Sequence, residues 1–396
     1  MLRILSISTL FPNPARPAFG KFVGSQMRAV AEEGSVDLTM IAPIGVPPWP
    51  LNRQQPYATH AACPPQATLG KLSVLHPRFL LIPRFGAQSN PARIARAVLP
   101  LARHLHGLKP FDLVDAQFFF PDGPAAAIVA RELGLPLTIK SRGSDIIYWQ
   151  TRPKALRQMQ EAADYATLLL TVSQALGRDM AALGMAPDKI VTHYTGLDRA
   201  KFHPLPRGEA RQQLAAQAIL HLPDQAPLLV AAGSLIAIKG QSIALEALAQ
   251  VPDAHLALAG VGPDEAALRA QAAALGLSDR VHFLGQVSHD ALPLLMAAAN
   301  ALVLPSEREG LANVWVESLA CGAPLVIPDI GGAREVVTSP SAGRIVPRDA
   351  AGFAQGMRAI LDDNLPQAEV AAHADGFSWQ SNARRLIEIW HRAAGH

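Results

Sequence analysis

The chain has 396 residues, 49% apolar and 17% charged, with a net charge of +3. At about 150 residues per domain this means two or three domains with enough apolar mass for buried cores, which excludes a disordered chain. The 33 prolines and 29 glycines have no period and no repeat is visible, which excludes collagen-like, low-complexity, solenoid and propeller chains.

The opening MLRILSIST is too short for a signal peptide and reads as a first buried strand, Arg3–Ser8. No run reaches the roughly 18 apolar residues of a spanning helix. Further strands are expected at Asp37–Ala42, Leu113–Gln117, Leu137–Lys140, Thr167–Val172 and Ile190–His193, with helical patterns at Gly123–Leu133 and Ser173–Leu183. From Leu38 to Phe111 there is no Asp or Glu, but there are Arg53, Lys71, Arg78, Arg84, Arg93, Arg96, Arg103 and Lys109. Apolar Trp49, Phe79, Leu80, Leu81, Ile82 and Phe85 are interleaved with them, and Arg93, Arg96 and Arg103 are spaced to share one helical face. Such a block fits an anionic partner, for which an anionic membrane surface is expected and nucleic acid is not; the other reading is a solvated basic face over a core.

Residues 201–227 break the rhythm and read as a linker holding a short helix. The alternation restarts with strands at Leu228–Ala232, His255–Ala259, Val281–Leu284, Ala301–Leu304 and Pro324–Ile327. Helices are expected at Lys239–Gln250, Asp264–Leu275, Asp290–Ala298, Asn313–Cys321 and Ala350–Leu361, with a last one over Ser378–Ala394. Strands alternating with helices predict parallel sheets covered on both faces, in two α/β halves at 1–200 and 228–375, followed by 376–396. Cys63 and Cys321 are too few for a disulfide framework and lack metal-ligand spacing, so a reducing, cytoplasmic compartment is expected.

Neither half carries G-x-G-x-x-G after a strand, so a nicotinamide oxidoreductase is a distant reading. Ligands of open α/β sheets bind beyond the carboxyl ends of strands. Four segments of the second half fall there. Gly233-Ser234-Leu235-Ile236-Ala237-Ile238-Lys239-Gly240 offers a Lys beside a helix N-terminus, which suits a phosphate, or is a plain turn with a solvated Lys. Gly260-Val261-Gly262-Pro263 lets backbone approach a flat ligand, or is a tight turn. In the third, Glu309 and Glu317 stand eight apart with Gly310, Leu311, Ala312, Asn313 and Val314 between, so both carboxylates can reach one site. Glu317 lies in an otherwise apolar helix, where a carboxylate needs a partner. The fourth, Ile330-Gly331-Gly332-Ala333, is by itself an ordinary turn.

Residues 228–338 resemble the nucleotide-sugar-binding half of a GT-B glycosyltransferase, most closely family 4 of the retaining enzymes. GSLIAIKG, LALAGVGPDEAAL, VHFLGQV and EREGLANVWVESLACGAPLVIPDIGGAREVV follow that family's order, with Glu309 and Glu317 as its E-x7-E pair. FPNPARPAFGKFV, AQFFFPDGPAAA, RGSDI, TVSQAL and HYTGLDRAKFHP extend the resemblance over the first half.

The resemblance implies two Rossmann-like domains facing each other across a cleft, 1–200 on the acceptor side and 228–375 on the donor side, with 376–396 returning to the first. It implies a nucleoside-diphosphate sugar donor, with Glu317 on the ribose hydroxyls, Glu309 on the sugar hydroxyls and Lys239 on the diphosphate. Gly233, Ser234, Gly262, Gly310, Leu311 and Ala312 complete the donor loops, with backbone N–H groups near Asn313 and Val314. Gly20 would let the opposite domain approach the donor. Ser234 stands where the family often has Arg, Arg142 where it usually has His, and Thr195 where it often has Asn. Arg142 is thus expected to serve a diphosphate or a carboxylate, or to form a salt bridge with Asp145. No D-x-D occurs, so neither metal nor other cofactor is expected. The implied reaction is retaining hexosyl transfer to a lipid-linked or polysaccharide-precursor glycan, at the inner face of the membrane as a peripheral protein. The alternatives are a nucleotide-sugar epimerase, a glycogen-type synthase, or a non-catalytic sugar-nucleotide-binding subunit.

Overall fold

The computed structural model describes residues 1–84, 86–223, 225–288 and 290–395, and divides into two compact units. The first comprises Met1–Gly196 and Trp379–His396, the second Leu197–Ser378. Residues 201–227 therefore fall within the second unit, where the helix Arg207–Ala216 packs on the helix Leu292–Ala298.

The first unit holds β1 (Leu2–Ile7), β2 (Val36–Ile41), β3 (Ile44–Val46), β4 (Gln66–Leu69), β5 (Leu72–Leu75), β6 (Arg78–Leu80), β7 (Leu113–Ala116), β8 (Leu137–Lys140), β9 (Leu168–Thr171) and β10 (Ile190–Thr192). Eight of these form a sheet in the order β10-β9-β8-β7-β1-β2-β5-β4, and β3 pairs with β6 separately. All pairings in the main sheet are parallel except β4 with β5. Strands β1, β7, β8 and β9 are buried along their whole length, as central strands of a doubly covered sheet are, and they carry polar Arg3, Ser6, Asp115, Thr138, Lys140 and Thr171 with them.

The helix Lys21–Glu33 turns Val23, Met27 and Val30, spaced i, i+4, i+7, onto the sheet. The helix Trp379–Ala394 packs on it and on β7 and β8, burying Leu386, Ile387 and Trp390. The Trp390 indole N–H donates to the buried Asp115 carboxylate at 3.1 Å. Three other donors reach the same carboxylate, from Ser6, Gln117 and Thr138, each at 2.8 Å. The last helix of the chain is thereby fixed beneath the centre of the first sheet.

The second unit holds β11 (Leu228–Ala232), β12 (His255–Ala259), β13 (Val281–Gly285), β14 (Ala301–Val303), β15 (Leu325–Pro328) and β16 (Gly343–Val346). They form one parallel sheet in the order β13-β12-β11-β14-β15-β16. Its core of Leu, Val and Ala side chains is closed on one face by Phe353 and Met357 of the helix Ala350–Asp363. The winding reverses between β11 and β14, and in open α/β sheets ligands are received at such a reversal, beyond the carboxyl ends of the strands. The helix expected from Lys239 begins at Gln241, because Ala237–Lys239 forms a 3-10 turn and Gly240 sits at φ +70°.

Candidate functional site

Lys239 and Glu309 face each other across the reversal point of the second sheet. Lys239 ends the turn after β11, and Glu309 lies in the loop after β14. Their ammonium and carboxylate meet at 2.5 Å with both side chains largely covered. The two loops touch backbone to backbone: a Cβ on Gly240 would lie 2.2 Å from the Pro305 carbonyl oxygen, and Glu307 N–H donates to the Ile238 carbonyl at 2.8 Å.

The loop after β12 joins them. A Cβ on Gly262 would lie 2.1 Å from the Leu235 carbonyl oxygen, and Leu235 N–H donates to Val261 at 3.1 Å. Gly332 N–H donates to the Gly310 carbonyl at 2.8 Å, so the loop after β15 closes the fourth side. The segments singled out in the sequence thus converge on one crevice. Gly233 turns at φ +148°, and Ser234 is exposed with its carbonyl accepting from Gln241. Gly310 and Leu311 are buried.

Helix Asn313–Ala320 starts without a side-chain cap, Ala312 holding the cap position, and has no acid in its first turn. The Asn313 and Val314 N–H groups have no preceding turn to receive them and no acceptor among the described residues, which suits them to an anion. The half-buried side chain of Glu317, on the second turn, forms no hydrogen bond or ion pair among the described residues. Burial pushes its carboxyl up to about 7, with the nearby Lys201 charge offsetting only part. A partly desolvated, unpaired acceptor on the helix whose N-terminus follows the lysine–glutamate pair suits a ligand that brings hydroxyls and negative charge together. Ser306 Oγ and Trp315 Nε1, buried in the same loop and helix, also lack partners among the described residues. Among those residues no group of three or more His, Cys, Asp or Glu is placed to hold a metal ion.

In the first unit, Arg142 lies in the loop after β8. Its guanidinium donates to Gln26 Oε1 at 2.9 Å, Gln117 Oε1 at 2.7 Å and the Gln117 carbonyl at 3.2 Å. The expected salt bridge with Asp145 does not form. Asp145 instead accepts from the backbone N–H groups of Arg142 and Phe119, holding two loops together. Burial lowers Arg142 to about 10, which leaves it charged near neutrality. Gly20 sits at φ +65° with Leu10 backbone 2.6 Å from where a Cβ would stand, so its own loop already requires glycine.

Sequence reading missed the groups beneath Arg142. Lys140 Nζ lies 2.6 Å from His193 Nδ1, and His193 Nε2 lies 2.9 Å from the Asn382 carbonyl. The carbonyl fixes the proton on Nε2, so Nδ1 accepts from Lys140. Burial and the Arg142 charge hold Lys140 well below the usual lysine range. Asp122, also missed, accepts from Thr9 N–H and Oγ and is pushed up to about 7 by burial. The one local signal was a Lys ending the strand-like run Leu137–Lys140.

The basic stretch is partly committed within the fold. Arg103 pairs with Glu132 at 2.5 Å and Lys109 with Asp37 at 2.6 Å, both acids outside the stretch. Arg93, Arg96 and Arg103 all lie on the helix Asn90–Leu108, where Arg93 is half-buried, Arg96 and Arg103 are exposed, and Arg103 is paired with Glu132. Phe79 is buried and Leu81 half-buried, whereas Trp49, Leu80 and Ile82 are exposed at 72%, 50% and 37%. Arg53 and Arg84 are exposed in the same region of sequence; Phe85 lies outside the described residues. No helix among the described residues is long and apolar enough to cross a membrane.

The family model of the glycosyl transferases group 1 matches residues 213–375, and that of Glycosyltransferase Family 4 matches residues 53–201. The chain belongs to the group 1, family 4 glycosyltransferases. Among curated relatives, the putative teichuronic acid biosynthesis glycosyltransferase TuaC of Bacillus subtilis is 26% identical over 93% of this chain and 92% of its own. D-inositol 3-phosphate glycosyltransferase 1 of Catenulispora acidiphila is 29% identical over 72% of each chain. A GDP-mannose-dependent phosphatidylinositol monomannoside mannosyltransferase of Corynebacterium glutamicum is 28% identical over 70% of this chain and 76% of its own. Sucrose-phosphate synthase of Thermosynechococcus elongatus superposes with a TM-score of 0.75 at 19% identity, covering 99% of both chains. Anabaena HepE in complex with UDP superposes at 0.72 and 20% identity, covering 99% of this chain and 100% of its own. These likenesses show the GT-B fold.

For this glycosyltransferase the raised Glu317 value carries a stability consequence. The native state holds a proton on Glu317 between about pH 4.5 and 7 that the unfolded chain has released, so this group makes stability fall as pH rises through that window. Glu317→Gln removes the ionisation at nearly constant shape. The ligand-free variant is expected to melt above the wild type at pH 8, with the gap closing towards pH 5, in thermal denaturation followed by circular dichroism. A gap of the same size at both pH values contradicts this electrostatic account.

Proposed function

We propose that this glycosyltransferase takes a hexosyl group from a nucleoside-diphosphate sugar and passes it, with retention at the anomeric carbon, to a polysaccharide-precursor or lipid-linked glycan. The observation that carries the proposal is Glu317, half-buried with its carboxylate unpartnered among the described residues, on an uncapped helix that follows the loop of the Lys239–Glu309 pair. Glu317 accepts from the ribose hydroxyls. The N–H groups of Asn313 and Val314 and the Lys239 ammonium take the diphosphate, Lys239 leaving Glu309, which turns to the sugar hydroxyls.

In the transfer step the bond from the anomeric carbon to the diphosphate oxygen breaks, and the acceptor oxygen bonds to the same face of that carbon. The acceptor proton passes to the leaving phosphate oxygen, so no separate side-chain base is required. Charge building on the diphosphate is met by groups already in place, which is where such sites gain most of their rate. Arg142 remains charged and is suited to a carboxylate or phosphate on the donor or acceptor. The relatives named for teichuronic acid and phosphatidylinositol mannoside synthesis support a charged or lipid-bearing acceptor.

Lys239→Ala and Glu317→Gln each remove a charged hydrogen bond, worth about 1.5–3 kcal/mol. In transfer or donor-hydrolysis assays with UDP-glucose and GDP-mannose as trial donors, each variant is expected to lose roughly 10- to 150-fold in kcat/KM. Wild-type kinetics in both variants would remove the site. Donor binding without transfer or hydrolysis by the wild type would favour the non-catalytic reading.

A peripheral position on an anionic leaflet is proposed from exposed Trp49, Leu80 and Ile82 together with Arg53 and Arg84. Each basic residue near such a surface contributes about 1 kcal/mol, screened over about 8 Å at physiological salt. Vesicles of phosphatidylglycerol and phosphatidylcholine are expected to sediment the protein at low salt and release it at high salt, while pure phosphatidylcholine does not. Protein left in the supernatant with the anionic vesicles at low salt would point to a soluble acceptor.

A further inference from the structure

We propose a second anion site in this protein, on the helix Arg207–Ala216, where the guanidinium groups of Arg207 and Arg211 take the phosphate dianion of a phosphorylated small molecule. A cavity of about 480 Å³ is lined there by Arg207, Arg211 and His221 over Leu214, Leu220 and Leu222. The site shares no residue with the donor loops. It also lies at the other end of the sheet: Arg211 donates through Nη2 to Asn300 Oδ1 at 3.0 Å, and that same oxygen receives Leu228 N–H at the start of β11. Lys239 and Glu309 follow the carboxyl ends of the strands, whereas Asn300 and Leu228 stand at the amino ends.

Each guanidinium is anchored by one edge. Arg207 Nε donates to the Ala299 carbonyl at 3.1 Å and Arg211 Nε to the Ala298 carbonyl at 3.3 Å. These carbonyls end the helix Leu292–Ala298, whose negative end attracts cations. That capping role uses the Nε atoms only. Both terminal nitrogens of Arg207 and Nη1 of Arg211 have no hydrogen-bond partner among the described residues, and neither arginine forms an ion pair there. Two half-buried cations side by side repel one another, and burial costs each of them hydration; both effects lower Arg211. A doubly charged group with three acceptor oxygens matches the three free nitrogens and relieves both penalties, where a carboxylate brings one charge and two oxygens. The leucine floor accommodates the body that carries the phosphate, and the position at the amino ends of the strands makes this an effector site, separate from substrate binding.

The test uses the full chain carrying Lys239→Ala, which weakens the donor loops. Calorimetric titration with inorganic phosphate and with fructose 6-phosphate is expected to show binding that persists in this background. Adding Arg207→Gln and Arg211→Gln should weaken that binding at least tenfold, with circular dichroism confirming the fold. Because those side chains also cap a helix, a second measurement needs no variant: crystals of the wild type soaked in sodium tungstate should show anomalous density within hydrogen-bond reach of both guanidinium groups. Phosphate binding unchanged in the triple variant, or tungstate absent from between the two arginines, overturns the proposal.

Discussion

Backbone packed against backbone sets the geometry on which the second unit depends. The loops leaving β11, β12, β14 and β15 approach one another closely enough that side chains are excluded at the contacts. A Cβ on Gly260 would lie 1.9 Å from the Gly233 carbonyl oxygen, and one on Gly331 would lie 2.0 Å from that of Glu309. With four loops locked in this way, the Lys239 ammonium, the Glu309 carboxylate and an uncapped helix N-terminus stay on one crevice without relying on side-chain packing. Charged groups fixed before a ligand arrives need no reorganisation when charge develops, which is the condition for electrostatic catalysis.

The acids of the first unit and Glu317 of the second are partnered differently. Asp115 receives hydrogen bonds from Ser6, Gln117, Thr138 and Trp390, and Asp145 receives them from Phe119, Arg142 and Ser141. These carboxylates are structural: they tie β1, β7, β8 and the last helix together. Glu317 is half-buried, and its carboxylate receives none among the described residues. An unpaired buried charge costs stability unless something supplies its partner, and the fold tolerates such costs chiefly where a ligand is received. The acids of the first unit are thus satisfied by the fold itself, whereas the Glu317 carboxylate is left to a partner from outside it, as the proposed ribose contact requires.

Much of this was legible in the sequence where the signal was local. Leu137–Lys140, Leu228–Ala232 and His255–Ala259 are short, mostly apolar runs, and each forms a strand with the expected bounds. The segments after β11, β12 and β14 stood out because glycines, a lysine and paired glutamates interrupt such runs at the right places. The helix Lys21–Glu33 was not singled out, although Val23, Met27 and Val30 carry its period, because the surrounding prolines and glycines resemble a loop. Strand β16 was missed because Gly343-Arg344-Ile345-Val346 is short, half-polar and at a sheet edge. The fate of the basic stretch was not legible at all: the acids that pair with Arg103 and Lys109 are Glu132 and Asp37, outside the stretch and brought in by tertiary packing. The partners of Arg142, Gln26 and Gln117, are distant in sequence in the same way.

The most direct measurement couples Glu317 to the ribose. Affinity is measured by calorimetry for whichever of UDP, GDP and ADP binds most tightly and for its 2′,3′-dideoxy analogue, in the wild type and in Glu317→Gln. A carboxylate accepting from the ribose hydroxyls makes their removal cost about tenfold or more in the wild type and less than about twofold in the variant. Equal losses in the two proteins would show that Glu317 does not hold the ribose and would contradict the assignment of this crevice to the nucleotide.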